Sequence, residues 1–213
     1  MNLTISGNIL SLNWIEGLNE PKGMGIRGNS LFIADINELV EVSLETGEVL
    51  RKIEIAGKPD LNDITVGSDG TVFVSGSGSN TIYQLKDDSL AEVFRGNEGE
   101  RFNGLFSEKN RMLLITSASS QFKEINLETG EMKVISENMG HGDAIAPVGD
   151  GGYLTTSWKG SVFYVSPEGV PVKLLDTEAL EENAADADFS IEEQMLYMPT
   201  FFKNRVKAYR LVK

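Results

Sequence analysis

An all-β architecture of repeated four-stranded units is predicted by three features of the sequence. The first is a repeat: "LETGE" stands at 44–48 and again at 127–131, 83 residues apart, or two periods of about 41. The second is a set of five comparable openings at that period: "PKGMGI" (21–26), "LNDITV" (61–66), "FNGLFS" (102–107), "GDAIAP" (142–147) and "AADADFS" (184–190). The third is the series of short strands after each opening, with apolar alternation and with Asp-Gly and Thr-Gly turns between them.

Taken in order, the first unit continues as "LFIADI", "LVEVSL" and "EVLRKIEI", and the second as "VFVSGS", "TIYQL" and "LAEVF". The third gives "LLITSA", "FKEINL" and "MKVIS", and the fourth "YLTTSW", "VFYVS" and "PVKLL". The fifth gives "LYMPTFF" and "RVKAYRL" and has no fourth strand. Four short antiparallel strands per period describe a propeller blade. Residues 1–213 are therefore read as one β-propeller domain, either of five blades or of six with the N-terminal part truncated. "DTEALEENAAD" (176–186) is a longer inter-blade loop with room for one helical turn. "NILSLNWIEG" (8–17) resembles a fourth strand standing before the first unit. It is expected to complete the fifth blade, Ile9–Ile15 pairing with Val206–Leu211, which would remove a free sheet edge. "NLTIS" (2–6) resembles a third strand with nothing before it.

Apolar residues make up 40% and charged residues 24%, an ordinary globular composition. No apolar run approaches the ~18 residues of a membrane span, and "MNLTISGNIL" has neither a basic leader nor a long apolar core. A soluble protein is expected, cytoplasmic or, if a signal peptide has been removed, periplasmic or secreted. The absence of cysteine excludes disulfides and thiolate metal sites. A net charge of −13 repels phosphate backbones, so nucleic acid is not an expected partner. Solubility is the plain reading of that charge. A hard cation, or a neutral or cationic small molecule, is the easier ligand.

The first strand of a blade lines the central channel. Equivalent points at the strand mouths are Lys22, Asn62, Asn103, Asp143 and Asp186, in steps of 40, 41, 40 and 43 residues. Two amides, two carboxylates and an ammonium are thus expected to converge on one axis, with Asp63 beside them. Such a ring of oxygens suits a hard cation, above all Ca2+; it equally suits strand capping and bound water.

Three segments resemble those of the senescence-marker-protein/gluconolactonase (regucalcin-like) family of six-bladed propellers. "FNGL" is similar to the family's Asn-Gly segment, "LNDITVGSDGTVFVS" to its Asn-Asp segment and inner hairpin, and "GDAI" to its Asp-Gly segment. The resemblance covers nearly the whole chain, in the family's order. It implies a divalent metal, Ca2+ first, held by Asn62, Asn103 and Asp143. It also implies hydrolysis of lactones or related esters, with Asp143 helping to activate water. The sequence departs from the family in two places. The glutamate ligand of the family's first blade has no counterpart, and Ala144 stands where the family usually has glycine.

His141, the single histidine, lies two residues before Asp143 and is either a rim base or a solvated loop residue. Trp158, Phe201 and Phe202 come after second strands and either wall a ligand or pack between blades. Tyr83, Tyr164 and Tyr209, on third strands, read as blade packing. Lys22 is expected in a salt bridge with an acidic neighbour, Asp186 if five blades close the ring. These residues admit three functional classes: a metal-dependent lactone hydrolase, a non-catalytic propeller binding a protein or small molecule at one rim, and a lyase or sugar-processing propeller of a related repeat type.

Overall fold

The computed structural model describes residues 2–4 and 6–212. Its regular structure is β-strand apart from two short 3-10 turns, Glu178–Leu180 and Phe201–Lys203. A small hairpin comes first, β1 (Asn2–Leu3) with β2 (Ile9–Ser11). Blade 1 comprises β3 (Pro21–Arg27), β4 (Ser30–Asp35), β5 (Glu38–Ser43) and β6 (Val49–Glu54). Blade 2 comprises β7 (Leu61–Val66), β8 (Val72–Gly76), β9 (Thr81–Lys86) and β10 (Ser89–Arg95). Blade 3 comprises β11 (Phe102–Glu108), β12 (Arg111–Thr116), β13 (Phe122–Asn126) and β14 (Met132–Ser136). Blade 4 comprises β15 (Gly142–Pro147), β16 (Tyr153–Ser157), β17 (Ser161–Val165) and β18 (Pro171–Asp176). Blade 5 has three strands, β19 (Asp188–Ser190), β20 (Met195–Pro199) and β21 (Val206–Arg210). Pairing within each blade is antiparallel and sequential, and the inner strands β3, β7, β11, β15 and β19 pack one on the next. The expected five-bladed propeller is the observed architecture.

The two "LETGE" copies are the hairpin turns between third and fourth strands. In both, the glycine amide bonds the carbonyl four residues back, Gly47 to Ser43 and Gly130 to Asn126. Both glycines sit at positive φ, 74° and 73°, where a Cβ would be strained.

Second strands read as unbroken apolar runs because both their faces are covered. In β4, Phe32 and Ala34 point to blade 2, while Leu31 and Ile33 point the opposite way. In β8, Val72 and Val74 meet blade 1 and Phe73 meets blade 3. Tyr83, Tyr164 and Tyr209 lie in these inter-blade clusters, as expected of blade packing.

The N-terminal closure expected from the sequence does not form. Among the described residues β1 and β2 pair only with each other, and β21 carries no fourth strand. The segment after the hairpin is bound to blade 1 instead. Trp14, Ile15 and Leu18 pack on Leu31, Ile33, Val40 and Val42. Lys52 Nζ donates to the Gly17 carbonyl, and the Asn19 and Glu20 amides donate to the Asp35 carboxylate. The inner edge of that blade 1 face stays open, with Met24 58% and Ile26 59% exposed.

Candidate functional site

The column of polar residues is placed by one repeated backbone irregularity. In blade 1, Pro21 faces Asp35 and Met24 faces Ile33, so Lys22 and Gly23 share the place opposite Ala34. The same two-against-one bulge sets Asn62 and Asp63 opposite Ser75, Asn103 and Gly104 opposite Ile115, and Asp143 and Ala144 opposite Thr156. Blade 5 repeats it just before its inner strand β19 begins. The Ala185 amide donates to the Pro199 carbonyl and Asp188 faces Tyr197, leaving Asp186 and Ala187 opposite Met198. A bulge re-aims side chains and stops the ladder locally. Here it frees backbone groups that side chains then satisfy: the Asp63 amide donates to Ser75 Oγ and the Ala144 amide to Thr156 Oγ1.

The second bulge residue touches the next blade. A Cβ on Gly23 would lie 2.6 Å from Asp63 Cα and 2.7 Å from the Asn62 carbonyl oxygen, and one on Gly104 would meet the Asp143 carbonyl. Asp63, at the same point of blade 2, reaches across instead. Its Oδ2 accepts from the Leu105 amide of blade 3 at 2.7 Å, and its Oδ1 from the Ile64 amide at 2.7 Å.

Asp143 is the hub of a second chain of bonds. Its Oδ1 accepts from Asn103 Nδ2 at 2.8 Å and its Oδ2 from the Asp186 amide at 2.9 Å. Blades 3, 4 and 5 are thereby tied through one carboxylate. Burial pushes the Asp143 carboxyl up to about 6, against the lowering by those two bonds and by the Lys22 charge. Burial pushes Asp63 up to about 7, reinforced by the charges of Asp143 and Asp188 and opposed by its backbone bonds. Asp186 is enclosed by the blade walls yet exposed along the channel. That enclosure and the charges of Asp63, Asp143 and Asp188 raise its carboxyl well above the usual range.

Lys22 meets Asp60, not Asp186. The Asp60 carboxylate, two residues before Asn62, takes both Lys22 Nζ and Arg101 Nη2, and the two cations hold it below its ordinary range against the opposing effect of burial. The neighbour relation that counts is therefore blade 1 with blade 2, and a rim triad across blades 1, 2 and 3 forms. Asp60 and Arg101 stand outside the column, each two residues before its member, so the repeat gave no signal for them. Asp188 is the other newcomer; in "ADADF" it alternates with Asp186, which was its signal.

The expected ligand trio of Asn62, Asn103 and Asp143 offers one carboxylate and two amides, against the six to eight oxygens of a Ca2+ sphere. The Asn103 amide nitrogen faces Asp143 and both Asp143 oxygens accept bonds within the protein. Among the described residues no three His, Asp or Glu side chains come together to hold a metal ion. As arranged, Asn103 and Asp143 direct their polar groups to each other and to the Asp186 amide.

His141 is exposed at the same rim, its carbonyl accepting from the Trp158 amide at 2.7 Å. Trp158, Phe201 and Phe202 form an edge-on aromatic triad, with centroids 5.7 Å, 5.9 Å and 4.7 Å apart. Phe201 is 55% and Phe202 69% exposed. Trp158 of blade 4 thus packs against Phe201 and Phe202 of blade 5, and the outer faces of the two phenylalanines are left open at the rim. A cavity of about 380 Å3 opens against Trp158, Asn183 and Phe202.

No family model and no curated protein matches the chain. Solved structures do. A catalytically inactive virginiamycin B lyase from Staphylococcus aureus with quinupristin has 14% identity and a TM-score of 0.71, over 97% of this chain and 69% of that one. A streptogramin B lyase has 15% identity and a TM-score of 0.71, over 88% of this chain and 64% of that one. A chain of a nidogen/laminin complex has 14% identity and a TM-score of 0.75, over 90% of this chain and 76% of that one. This chain thus spans about two thirds of the lyases' length, and the likeness is one of fold. No helix among the described residues is long and apolar enough to cross a membrane.

Proposed function

We propose that this chain is a ligand-binding propeller that takes a small molecule at the rim between blades 4 and 5. The observation that carries it is the ring triad beside the channel mouth, in which the half-buried Trp158 backs the exposed Phe201 and Phe202. Exposed aromatics next to a cleft are ligand walls, because a fold that needed them for packing would cover them. The carboxylate a hydrolase would need, Asp143, carries an inter-blade bond on each oxygen and so serves the fold as a tie. Propellers of similar fold include lyases and a member of a protein–protein complex, so the fold leaves either class open. The test is a thermal-shift and tryptophan-fluorescence screen of small molecules against the wild type and Phe202→Ala. Hits that vanish in the variant support the rim; hits indifferent to it refute it.

Metal-dependent lactone hydrolysis by Asn62, Asn103 and Asp143 is the second reading. The standing of the three residues at equivalent bulge positions of blades 2, 3 and 4 favours it. Calorimetry with Ca2+ and a lactone panel decides between the two. Tight binding lost in Asn103→Ala, together with turnover, would replace the first reading with the second.

A further inference from the structure

Resting on the rim reading above, we propose that the mouth between blades 4 and 5 binds a small organic cation: an ammonium group carried on an aromatic body.

The wall and the acidic groups are parts of one construction. The Trp158 carbonyl accepts from the Ala184 amide at 3.3 Å and from Asn183 Nδ2 at 2.9 Å, and Asp186 lies two residues beyond Ala184. The Ala185 amide donates to the Pro199 carbonyl, and Phe201 lies two residues beyond Pro199. The Trp158 amide is bonded to His141, two residues before Asp143. Three rings and two carboxylates are therefore fixed to one frame within a few residues of each other. Phe201 holds φ at 49°, a left-handed conformation that a bulky residue adopts only under constraint.

The charge of the mouth is unbalanced. Asp186 and Asp188 are exposed there, and Asp63 and Asp143 lie behind them within electrostatic reach. No salt bridge joins any of these four to a basic side chain among the described residues. Of the nearby cations, Lys22 and Arg101 are engaged on Asp60, Lys203 on Glu181 and Lys207 on Glu182, while Lys159 lines the cavity together with Glu178 and Glu181. No three His, Asp or Glu side chains converge on one point among the described residues, so the acidic groups are spread out and not gathered into one sphere. An ammonium needs one or two carboxylates, and a neighbouring indole or phenyl ring adds cation–π attraction. The open apolar area of Phe201 and Phe202, and the cavity at Trp158, accept the aromatic body.

The test uses the whole chain with two probes, phenethylammonium and its neutral counterpart 2-phenylethanol, monitored by calorimetry and tryptophan fluorescence. Phenethylammonium should bind about tenfold more tightly at low salt, with the advantage shrinking as salt is added. Asp186→Asn should abolish most of that advantage, and asparagine suits the positive φ of 43° at this position. Asp188→Asn is the second variant should the first fail to fold. Phe202→Ala should weaken both probes. Equal binding of the two probes, both weakened by Phe202→Ala, would overturn the cation inference and leave the rim reading intact. Charge-dependent binding that ignores Phe202→Ala, or no binding by either probe, would overturn the inference and count against the rim as well.

Discussion

The Asp63 carboxylate of blade 2 accepts a hydrogen bond from the Leu105 amide of blade 3 at 2.7 Å, 42 residues away in sequence. Both groups are buried, so neither finds water if the other is lost. The same carboxylate caps its own bulge through the Ile64 amide. Asp63→Ala therefore leaves two buried amides without acceptors. Destabilisation of about 2–4 kcal/mol is expected, read as a lower urea midpoint with an unchanged m-value. A change under 0.5 kcal/mol, on the order of an ordinary surface substitution, would show the tie to be incidental.

Gly23 and Gly104 occupy the same bulge position in blades 1 and 3, each against the backbone of the next inner strand. Gly104→Ala forces its Cβ into the Asp143 carbonyl, with Asp143 C at 3.0 Å, and backbone cannot step aside as a side chain can. Loss of about 2 kcal/mol or more is expected for either alanine variant. Gly99→Ala serves as a control. No atom crowds a Cβ at Gly99, and its φ of 83° confines the penalty to local strain. A circular-dichroism melt in which Gly104→Ala matches the wild type would refute the close approach.

The N-terminal segment divides into two parts with different energetics. Among the described residues the β1–β2 hairpin pairs only with itself, and Ile9 and Leu10 in it and Leu12 just after it are exposed at 58%, 65% and 67%. Trp14 covers the far face of blade 1. Removing residues 1–11 should shift the melting temperature by no more than about 2 °C, whereas Trp14→Ala should lower it by about 3–6 °C. A large loss on truncation would mean that the hairpin bonds to the blades after all.

How far the sequence could be read depends on the range of the interaction. The column from Lys22 to Asp186 was legible because a bulge at one point of every unit keeps the period, even in blade 5, where residues 185–187 lie just before the regular strand β19. Partners across blades were not legible. Lys22 chose Asp60 over Asp186 because packing places blade 2, and not blade 5, beside it. The N-terminal strand was recognised as a strand, yet alternation says nothing about which edge it joins. A nearby turn at Gly7 closes a short loop at small entropic expense, and the distant edge of β21 cannot compete. The rim aromatics were ambiguous for a similar reason: exposure is a property of the packed blades, not of the residue type.

The acid-lined channel sets a pH dependence of stability. Burial raises the folded-state carboxyls of Asp63 and Asp143 to about 7 and about 6, and Asp186 is raised as well. In the unfolded chain these groups titrate near 3.8. Between those limits the folded state binds more protons than the unfolded one, so stability falls as pH rises from about 4 to about 7. The ion-paired carboxylates act in the opposite sense: Glu41, Asp60, Glu100, Glu108 and Glu124 are held below their ordinary values. Their contribution is present above about 4.5 and is lost as pH falls through the lowered values. Maximal stability is therefore expected near pH 5, with a gain on the order of 2–4 kcal/mol over pH 8 from the raised acids. That gain corresponds to a melting temperature several degrees higher at pH 5 than at pH 8. Asp143→Asn replaces one of the raised acids by a group that carries no charge at either pH, and should flatten the profile. A wild-type melting temperature that climbs steadily from pH 5 to pH 8 would mean that the channel carboxylates are ionised in the fold, and that a cation already balances them.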